Sequence, residues 1–295
     1  MEIQHAAVID IGSNSLRLLE GIRAGRSWQF KPKQLASTRL GRNQASSGKL
    51  DPEGLRLSMA ALAQWHEQLG AIPVLAVATS AVREASDGAV FMAAIEKSFG
   101  WQVRILTGEQ EAALSFCGAA SSAAADEAIV VMDIGGGSTE IAAGANGQVQ
   151  WSHSYPLGAV RLALPDRPTV QDIQNLEAYC QSLWLPMDVV PQRLLGVGGT
   201  LTSLAAIDQS LAIYDPAVVD GYVVSTDCIG RHIDCLSHMT PEQRRHVVGL
   251  QPARADIIVS GLIIAQSFLI RYGLSEISIS EGDLLEGIFR HNLFI

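Results

Sequence analysis

The chain has 295 residues, of which 48% are hydrophobic and 17% are charged, and its formal net charge is −9. This composition excludes a disordered chain and provides enough apolar side chains for two domains of ordinary size. The negative charge argues against a general binder of nucleic acids or of membrane surfaces, so a polyanionic substrate would need a local basic lining.

The first half of the chain alternates short apolar runs with polar turns and helical segments, a pattern that predicts an α/β protein. Thr107 and Gln110 form a capping-box pattern at the start of one helix. The predicted elements are two strands around a turn in His5–Glu20, a strand region in Trp28–Leu40, a helix from Pro52 to Leu69, strands in Pro73–Ala78 and Val103–Leu106, and the helix that Thr107 caps.

The second half repeats this alternation, and we place the boundary between two domains near residue 125, giving domains 1–125 and 126–295. Ile257–Ile270 is too short and too interrupted by polar residues to span a bilayer, so we expect a buried helix, which Arg254–Asp256 begins. The other predicted elements are strands in Ile129–Met132, Gln148–His153, the start of Leu194–Leu204 and Ile277–Ser280, and helices in Val170–Leu185 and Leu284–His291.

One motif occurs twice, each time after an apolar strand. Asp10–Leu18 reads DIGSNSLRL and Asp133–Ile141 reads DIGGGSTEI. Backbone N–H groups in such glycine turns bind phosphate, and an aspartate at the strand end suits a shared divalent cation. The repeat predicts a duplicated half-molecule with one phosphate loop from each half. Two ordinary hairpin turns are the alternative.

Several charged residues have both a binding and a surface interpretation. Arg39, Arg42 and Lys49 form the densest basic cluster near the first loop, and they either face phosphate or lie in solvent. Arg83 follows a strand end, where it either contacts phosphate or forms a surface ion pair with Glu84 or Asp87.

Two further features leave alternatives open. Glu109 and Glu111 lie two positions apart on a helix, so only one of them faces a cleft. The turn Gly196–Thr200, GVGGT, either approaches a phosphate chain or allows tight packing between strand and helix. The four cysteines form no CxxC pair, the seven histidines show no zinc-ligand spacing, and the N-terminus has no secretory pattern, so we expect a cytoplasmic protein with reduced thiols.

These motifs together resemble the exopolyphosphatase/guanosine pentaphosphate phosphohydrolase family, within the superfamily of actin, sugar kinases and heat-shock ATPases. The resemblance covers nearly the whole chain and implies two ribonuclease-H-like domains with a cleft between them. The matching segments, in order, are Asp10–Leu18, Ala78–Ala85 (ATSAVREA), Thr107–Ala112 (TGEQEA), Asp133–Ile141, Pro156–Leu162 (PLGAVRL), Gly196–Thr200 and Arg254–Ile257 (RADI).

The resemblance also implies roles for individual residues. It makes Glu111 the catalytic glutamate, and it makes Asp133 and Glu140 the ligands of a Mg²⁺ ion. It also makes Arg161 a phosphate contact. The phosphate contacts that it implies are Ser13, Asn14, Ser15, Arg83, Gly135, Gly136, Gly137, Ser138 and Thr139.

The chain departs from the family at its C-terminal motif. Ser280–Gly287 reads SEGDLLEG where the family usually has SxxGLREG, so Asp283 replaces a glycine and Leu285 an arginine. The chain also resembles the short two-domain form, without the helical region that longer members add. These differences bear on how the C-terminal segment meets the cleft or how subunits pair in a homodimer.

The resemblance implies magnesium-dependent hydrolysis of a terminal phosphoanhydride. Inorganic polyphosphate is the favoured substrate and guanosine pentaphosphate the alternative, and the sequence does not separate them. An actin-like sugar kinase would more often use an aspartate base beside a sugar pocket, for which no candidate is evident. A non-catalytic nucleotide sensor would have no need of Glu111. We expect no nucleic-acid or membrane partner.

Overall fold

The structure is a computed structural model that describes residues 4–25, 27–122, 127–187 and 192–291. The predicted domain boundary near residue 125 therefore lies outside the described residues. Two six-stranded mixed sheets organise the fold, one in each half of the chain. No helix among the described residues is long and apolar enough to cross a membrane.

The first sheet is organised around its central strand, which pairs antiparallel with the second strand and parallel with the fifth. The predicted region Trp28–Leu40 forms two short strands, and both pair with the second strand. The elements of this half are β1 (His5–Ile11), β2 (Ser15–Ala24), β3 (Ser27–Phe30), β4 (Gln34–Ser37), α1 (Gln44–Ser47), α2 (Pro52–Leu69), β5 (Val74–Ala78), α3 (Ser80–Glu84), α4 (Gly88–Phe99), β6 (Gln102–Ile105) and α5 (Gly108–Ala119).

The strands of the second sheet lie in the order Val223–Ser225, Glu276–Ile279, Arg193–Val197, Ile129–Ile134, Thr139–Ala145 and Gln148–Tyr155. The elements of this half are β7 (Ile129–Ile134), β8 (Thr139–Ala145), β9 (Gln148–Tyr155), α6 (Val170–Leu183), β10 (Arg193–Val197), α7 (Gly199–Asp208), α8 (Pro216–Val219), β11 (Val223–Ser225), α9 (Thr226–Ser237), α10 (Pro241–Arg244), α11 (Ile258–Tyr272), β12 (Glu276–Ile279) and α12 (Leu284–Arg290). The long apolar helix α11 is buried along most of its length, as its composition predicts.

The two sheets repeat one arrangement. In each, a central strand pairs antiparallel with the strand after the glycine turn and parallel with a strand that leads into a helix. Asp10 lies opposite Arg17 in the first sheet, and Asp133 lies opposite Glu140 in the second. The predicted α/β fold with two related halves is confirmed.

The last helix returns to the first half of the molecule. Leu284, Leu285 and Phe289 pack in one apolar cluster with Ala6 and Val8 of β1. A side chain at Gly118 of α5 would place its Cβ 2.0 Å from the carbonyl oxygen of Asp283, so only glycine allows this close crossing. The C-terminal segment thus ties the second sheet to the first.

One local prediction is wrong. The sequence predicts that the long apolar helix begins at Arg254, but Pro252–Arg254 forms a 3₁₀ turn and α11 begins only at Ile258. The N–H of Arg254 donates to the Gln251 carbonyl, and the N–H of Ile257 donates to the Arg254 carbonyl. These i→i+3 bonds tighten the segment and free Arg254 to face the cleft rather than the helix surface.

Candidate active site

The two glycine turns face each other across a cleft. A Cβ at Gly136 would lie 2.9 Å from the Ser13 Cβ, and one at Gly137 would lie 2.8 Å from the Ser13 Oγ. Larger residues would force the loops apart, so the glycines allow them to meet. The cavity between them is lined by Asp10, Gly12, Ser13, Asn14, Ser15, Arg17, Thr79, Ser80, Glu111, Asp133, Ile134, Gly135, Gly136, Gly137, Ser138, Gly198, Gly199 and Arg254.

All but one of the residues predicted in the phosphate loops line this cavity. The exception is Thr139, whose buried hydroxyl donates to the Leu157 carbonyl at 2.5 Å. Ser138 and Thr139 are consecutive at the start of a strand, and consecutive side chains point to opposite faces. The structure therefore places the hydroxyl of Thr139 outside the cleft.

The predicted basic cluster does not face the cleft. Arg39 forms a bidentate ion pair with Asp256, at 2.8 and 2.9 Å, which links the two halves. Its backbone N–H donates to the Asn14 carbonyl at 2.9 Å and thereby supports the first loop. Arg42 and Lys49 are exposed. Arg42 and Lys49 therefore lie in solvent, whereas Arg39 forms a structural contact between the two halves.

Glu111 is buried at the cleft, whereas Glu109 of the same helix is exposed. Arg83 Nη1 donates to Glu111 Oε2 at 3.0 Å and to the Leu106 carbonyl at 2.8 Å. Burial, followed by repulsion from Glu140, raises the pKa of Glu111 well above its usual range, and Arg83 offsets this only in part. Such a carboxyl takes up a proton more readily than an ordinary glutamate does.

Arg83 thus orients Glu111 and is not among the residues that line the cavity. Its expected surface partner Glu84 pairs with Arg161 instead, across the two halves. Arg161 Nε also donates to the carbonyl of Gly137 at 2.6 Å, so it supports the second phosphate loop from outside.

The carboxylates predicted to hold metal lie side by side on neighbouring strands. Asp133 Oδ2 accepts a hydrogen bond from Ser115 Oγ at 2.6 Å, and Glu140 Oε1 accepts one from Ser154 Oγ at 2.7 Å. Burial, followed by repulsion from Asp133, raises the pKa of Glu140 to about 7. Burial also raises the pKa of Asp133, although Arg17 opposes this.

This donor set fits a divalent cation. Asp10 Oδ1 is buried without a hydrogen-bond partner, and the carboxyl groups of Asp133 and Glu140 repel each other. A cation would relieve both conditions. Mg²⁺ needs only one or two protein carboxylates when phosphate oxygens and water complete its shell. The carboxyl pair is therefore adequate for a magnesium ion that is shared with a phosphate.

Arg254 is a cleft residue to which the sequence assigned no role. A Cβ at Gly199 would lie 1.7 Å from its Nη2, so the guanidinium rests directly on the third glycine turn. None of the described carboxylates lies within ion-pair distance of Arg254, whereas Arg17 is paired with Asp10 and Asp283. Burial and then Arg17 lower the pKa of Arg254 to about 10, which still leaves it charged at neutral pH. The match of Arg254–Ile257 to the family's RADI motif is the only feature of the sequence that points to Arg254.

Comparison with known proteins agrees with this geometry. A family model described as the Ppx/GppA phosphatase family matches residues 29–293. The chain belongs to the Ppx/GppA phosphatase family. It is therefore an enzyme, a phosphoanhydride hydrolase.

Individual relatives span almost the full length of this Ppx/GppA chain. Exopolyphosphatase 2 of Mycobacterium tuberculosis is 33% identical over 98% of both chains. The crystal structure of an exopolyphosphatase from Cytophaga hutchinsonii is 25% identical and superposes with a TM-score of 0.89, covering 98% of both chains. The Aquifex aeolicus Ppx/GppA protein is 27% identical, with a TM-score of 0.81, over 99% of this chain and 98% of that one.

The structure explains how this member accommodates its unusual C-terminal motif. Asp283 Oδ2 binds Arg17 Nη1 at 2.7 Å and Lys33 Nζ at 3.1 Å, while Oδ1 accepts from the N–H of Leu285 and caps α12. Leu285 is fully buried in the apolar cluster between α12 and the first sheet. The motif therefore joins the two halves through one carboxylate and one apolar side chain.

We expect Asp283→Gly to lower the free energy of unfolding by about 2 kcal/mol, because a helix cap and a part-buried ion pair each contribute about 1 kcal/mol. Denaturant unfolding of the purified protein measures this difference. Asp283→Asn keeps the capping oxygen and removes the charge, so it should lose about half as much. If Asp283→Gly is as stable as the wild type, these contacts do not stabilise the junction.

Proposed function

We propose that this Ppx/GppA protein is an exopolyphosphatase that hydrolyses the terminal phosphoanhydride of inorganic polyphosphate with Mg²⁺. The observation that carries the proposal is the buried Glu111, held by Arg83 at 3.0 Å, in a cleft formed by both phosphate loops. The 33% identity to a mycobacterial protein named exopolyphosphatase 2 supports the choice of substrate.

Glu111 is the proposed general base. It would orient a water molecule towards the terminal phosphorus and accept its proton, since its raised pKa favours proton uptake. Base assistance of this kind typically contributes about 100- to 10,000-fold to the rate. Arg83 is a positioning residue, because its hydrogen bond fixes the direction in which the carboxylate points.

The remaining polar groups of the cleft would bind the phosphates. Phosphoryl transfer depends mainly on positioning and on neutralising charge over the phosphate oxygens. Backbone N–H groups of the turns Gly12–Ser15 and Gly135–Ser138 would hold adjacent phosphates, and Arg254 would supply a charge that no described carboxylate neutralises.

Asp133 and Glu140 are the proposed protein ligands of Mg²⁺. When bound, the ion supplies charge neutralisation to the phosphate oxygens. Glu140 is fixed by Ser154, and Asp133 by Ser115, so both carboxylates are oriented before any ion arrives. Asp10, the equivalent of Asp133 in the first half, would keep its Oδ2 paired with Arg17, so only its unpartnered Oδ1 would face the ion.

Guanosine pentaphosphate is the second candidate substrate, and one cavity favours it. Beyond Arg254 the cleft opens into a cavity of about 170 Å³ whose lining includes Lys33, Leu35, Thr202 and Tyr214. An aromatic ring and an apolar side chain beside cations suit a base and its phosphates. A nucleotide could therefore place its nucleoside there while its phosphates reach the loops.

The test is phosphate release with Mg²⁺ from long-chain polyphosphate, short-chain polyphosphate and guanosine pentaphosphate, each measured with wild type and with Glu111→Gln. Release from polyphosphate that the variant lacks would support an exopolyphosphatase. Release from the nucleotide alone would replace it with the second candidate. No release from any of the three would contradict both, and ATP consumption that depends on a sugar would indicate a kinase.

A further inference from the structure

Three side chains with different metal-binding atoms converge outside the cleft. Asp208 is the last residue of α7, and Cys228 and His232 lie four positions apart on one face of α9. Their ligand atoms all lie within 4.8 Å of one another, and this is the only such group of histidine, cysteine and acidic residues in the described part of the chain.

The arrangement is centred on one oxygen atom. Asp208 Oδ1 lies 2.9 Å from Cys228 Sγ and 2.9 Å from His232 Nε2. The hydroxyl of Tyr222 donates to the other oxygen, Oδ2, at 2.7 Å and fixes the plane of the carboxylate. A hydrogen bond of this kind, from a residue that does not itself touch the metal, orients the ligands of metal sites.

The surroundings favour a cation and allow it to enter. Asp208 is the last residue of α7, at the negative end of the helix dipole. The side chains of Asp208 and His232 are 23% and 20% exposed, whereas Cys228 is buried at 7%. An ion from solvent would therefore meet the carboxylate and the imidazole first and the thiol below them.

We propose that Asp208, Cys228 and His232 form a Zn²⁺ site. Thiolate and imidazole ligands select zinc over magnesium, which prefers oxygen ligands, and three protein ligands with an open fourth position are a common zinc coordination. The site is distinct from the carboxylate pair proposed to hold Mg²⁺. The sequence did not reveal it because Asp208 lies 20 residues before Cys228.

The position of the site gives the ion a structural consequence. It would join the end of α7 to α9, and α7 begins at the third glycine turn of the cleft. A helix of ten residues is about 15 Å long, so the zinc would lie well away from the phosphate loops and fix the opposite end of this helix. The proposal does not depend on which phosphate compound the cleft hydrolyses.

The test is zinc binding by the full chain, in competition with a chromophoric chelator after prior removal of metals. We expect one Zn²⁺ per chain in the wild type. Loss of a residue that only orients a ligand typically costs about 10- to 100-fold in metal affinity, so Tyr222→Phe should fall in that range. Cys228→Ser and His232→Gln each remove a ligand and should each lose more than about 100-fold. Cobalt added to the wild type should show a thiolate charge-transfer band that Cys228→Ser lacks.

Two cysteine variants serve as controls. Cys235 is exposed on the same helix, so Cys235→Ser should bind zinc as the wild type does. Cys117 Sγ lies 3.0 Å from His291 Nε2, the other cysteine–histidine contact among the described residues. The proposal is overturned if zinc does not bind, if Cys228→Ser and His232→Gln bind it unchanged, or if Cys117→Ser is the variant that loses it.

Discussion

Glu111→Gln should lower the rate of phosphate release by about 100- to 10,000-fold while the protein stays folded. Glutamine has nearly the same shape and can still accept the hydrogen bond from Arg83, so the packing at the cleft is kept. It cannot accept a proton from water. Burial and repulsion from Glu140 raise the pKa of Glu111, so a neutral side chain removes an unfavourable charge, and this offsets the loss of the Arg83 ion pair. The measurements are the kcat for phosphate release and the Tm, each determined for both proteins.

A matched control lies two residues away. Glu109 is on the same helix but exposed, so Glu109→Gln should release phosphate at the wild-type rate. Turnover of Glu111→Gln close to that of Glu109→Gln would remove Glu111 from the role of base. A similar loss in both variants would point to a general effect of charge on this helix instead.

Glu140→Gln should stabilise the metal-free protein at about pH 8 and have little effect at about pH 5. The fold raises the pKa of Glu140 from its usual 4.5 to about 7, so the folded state binds this proton more tightly than the unfolded chain. The stability that this bound proton contributes is fully present below about pH 4.5 and is lost as the pH rises through about 7. Each pKa unit corresponds to about 1.4 kcal/mol, so the gain at high pH should approach roughly 3 kcal/mol.

With magnesium, the wild type should become the more stable of the two proteins at about pH 8. Mg²⁺ stabilises the state that binds it, and the bound carboxylates must be ionised, so it should raise the Tm of the wild type at about pH 8 and far less at about pH 5. Glu140→Gln should lose most of this increase together with its activity. The same increase in wild type and in Glu140→Gln would exclude Glu140 as a metal ligand, whatever the activity of the variant.

The parts of the site that the sequence predicted are those set by local structure. The two copies of the Asp-Ile-Gly motif specify the same strand, turn and strand, and the register then places Asp133 opposite Glu140 without help from distant residues. The capping box of Thr107 fixes the start of α5. The choice of Glu111 over Glu109 came only from the family resemblance, because the packing of α5 decides which of its faces is buried.

The parts that the sequence missed depend on contacts between distant segments. Arg17 and Asp283 are separated by 266 positions, and their pairing is what leaves Arg254 as the cleft cation without a carboxylate partner among the described residues. Arg83 pairs with the buried carboxylate of Glu111, 28 positions later in the chain, and not with an acidic residue next to it in the sequence. Spacing carries no signal for such pairs, because tertiary packing decides them.

The most direct test of the account is hydrolysis of short-chain polyphosphate in water labelled with heavy oxygen, under single-turnover conditions with Mg²⁺. If Glu111 directs water at the terminal phosphorus, each phosphate released should carry one heavy oxygen atom, and Glu111→Gln should release almost none. Released phosphate without the label would show that water attacks a different phosphorus, or that the phosphoryl group passes to another acceptor, and would contradict the proposed role of the cleft.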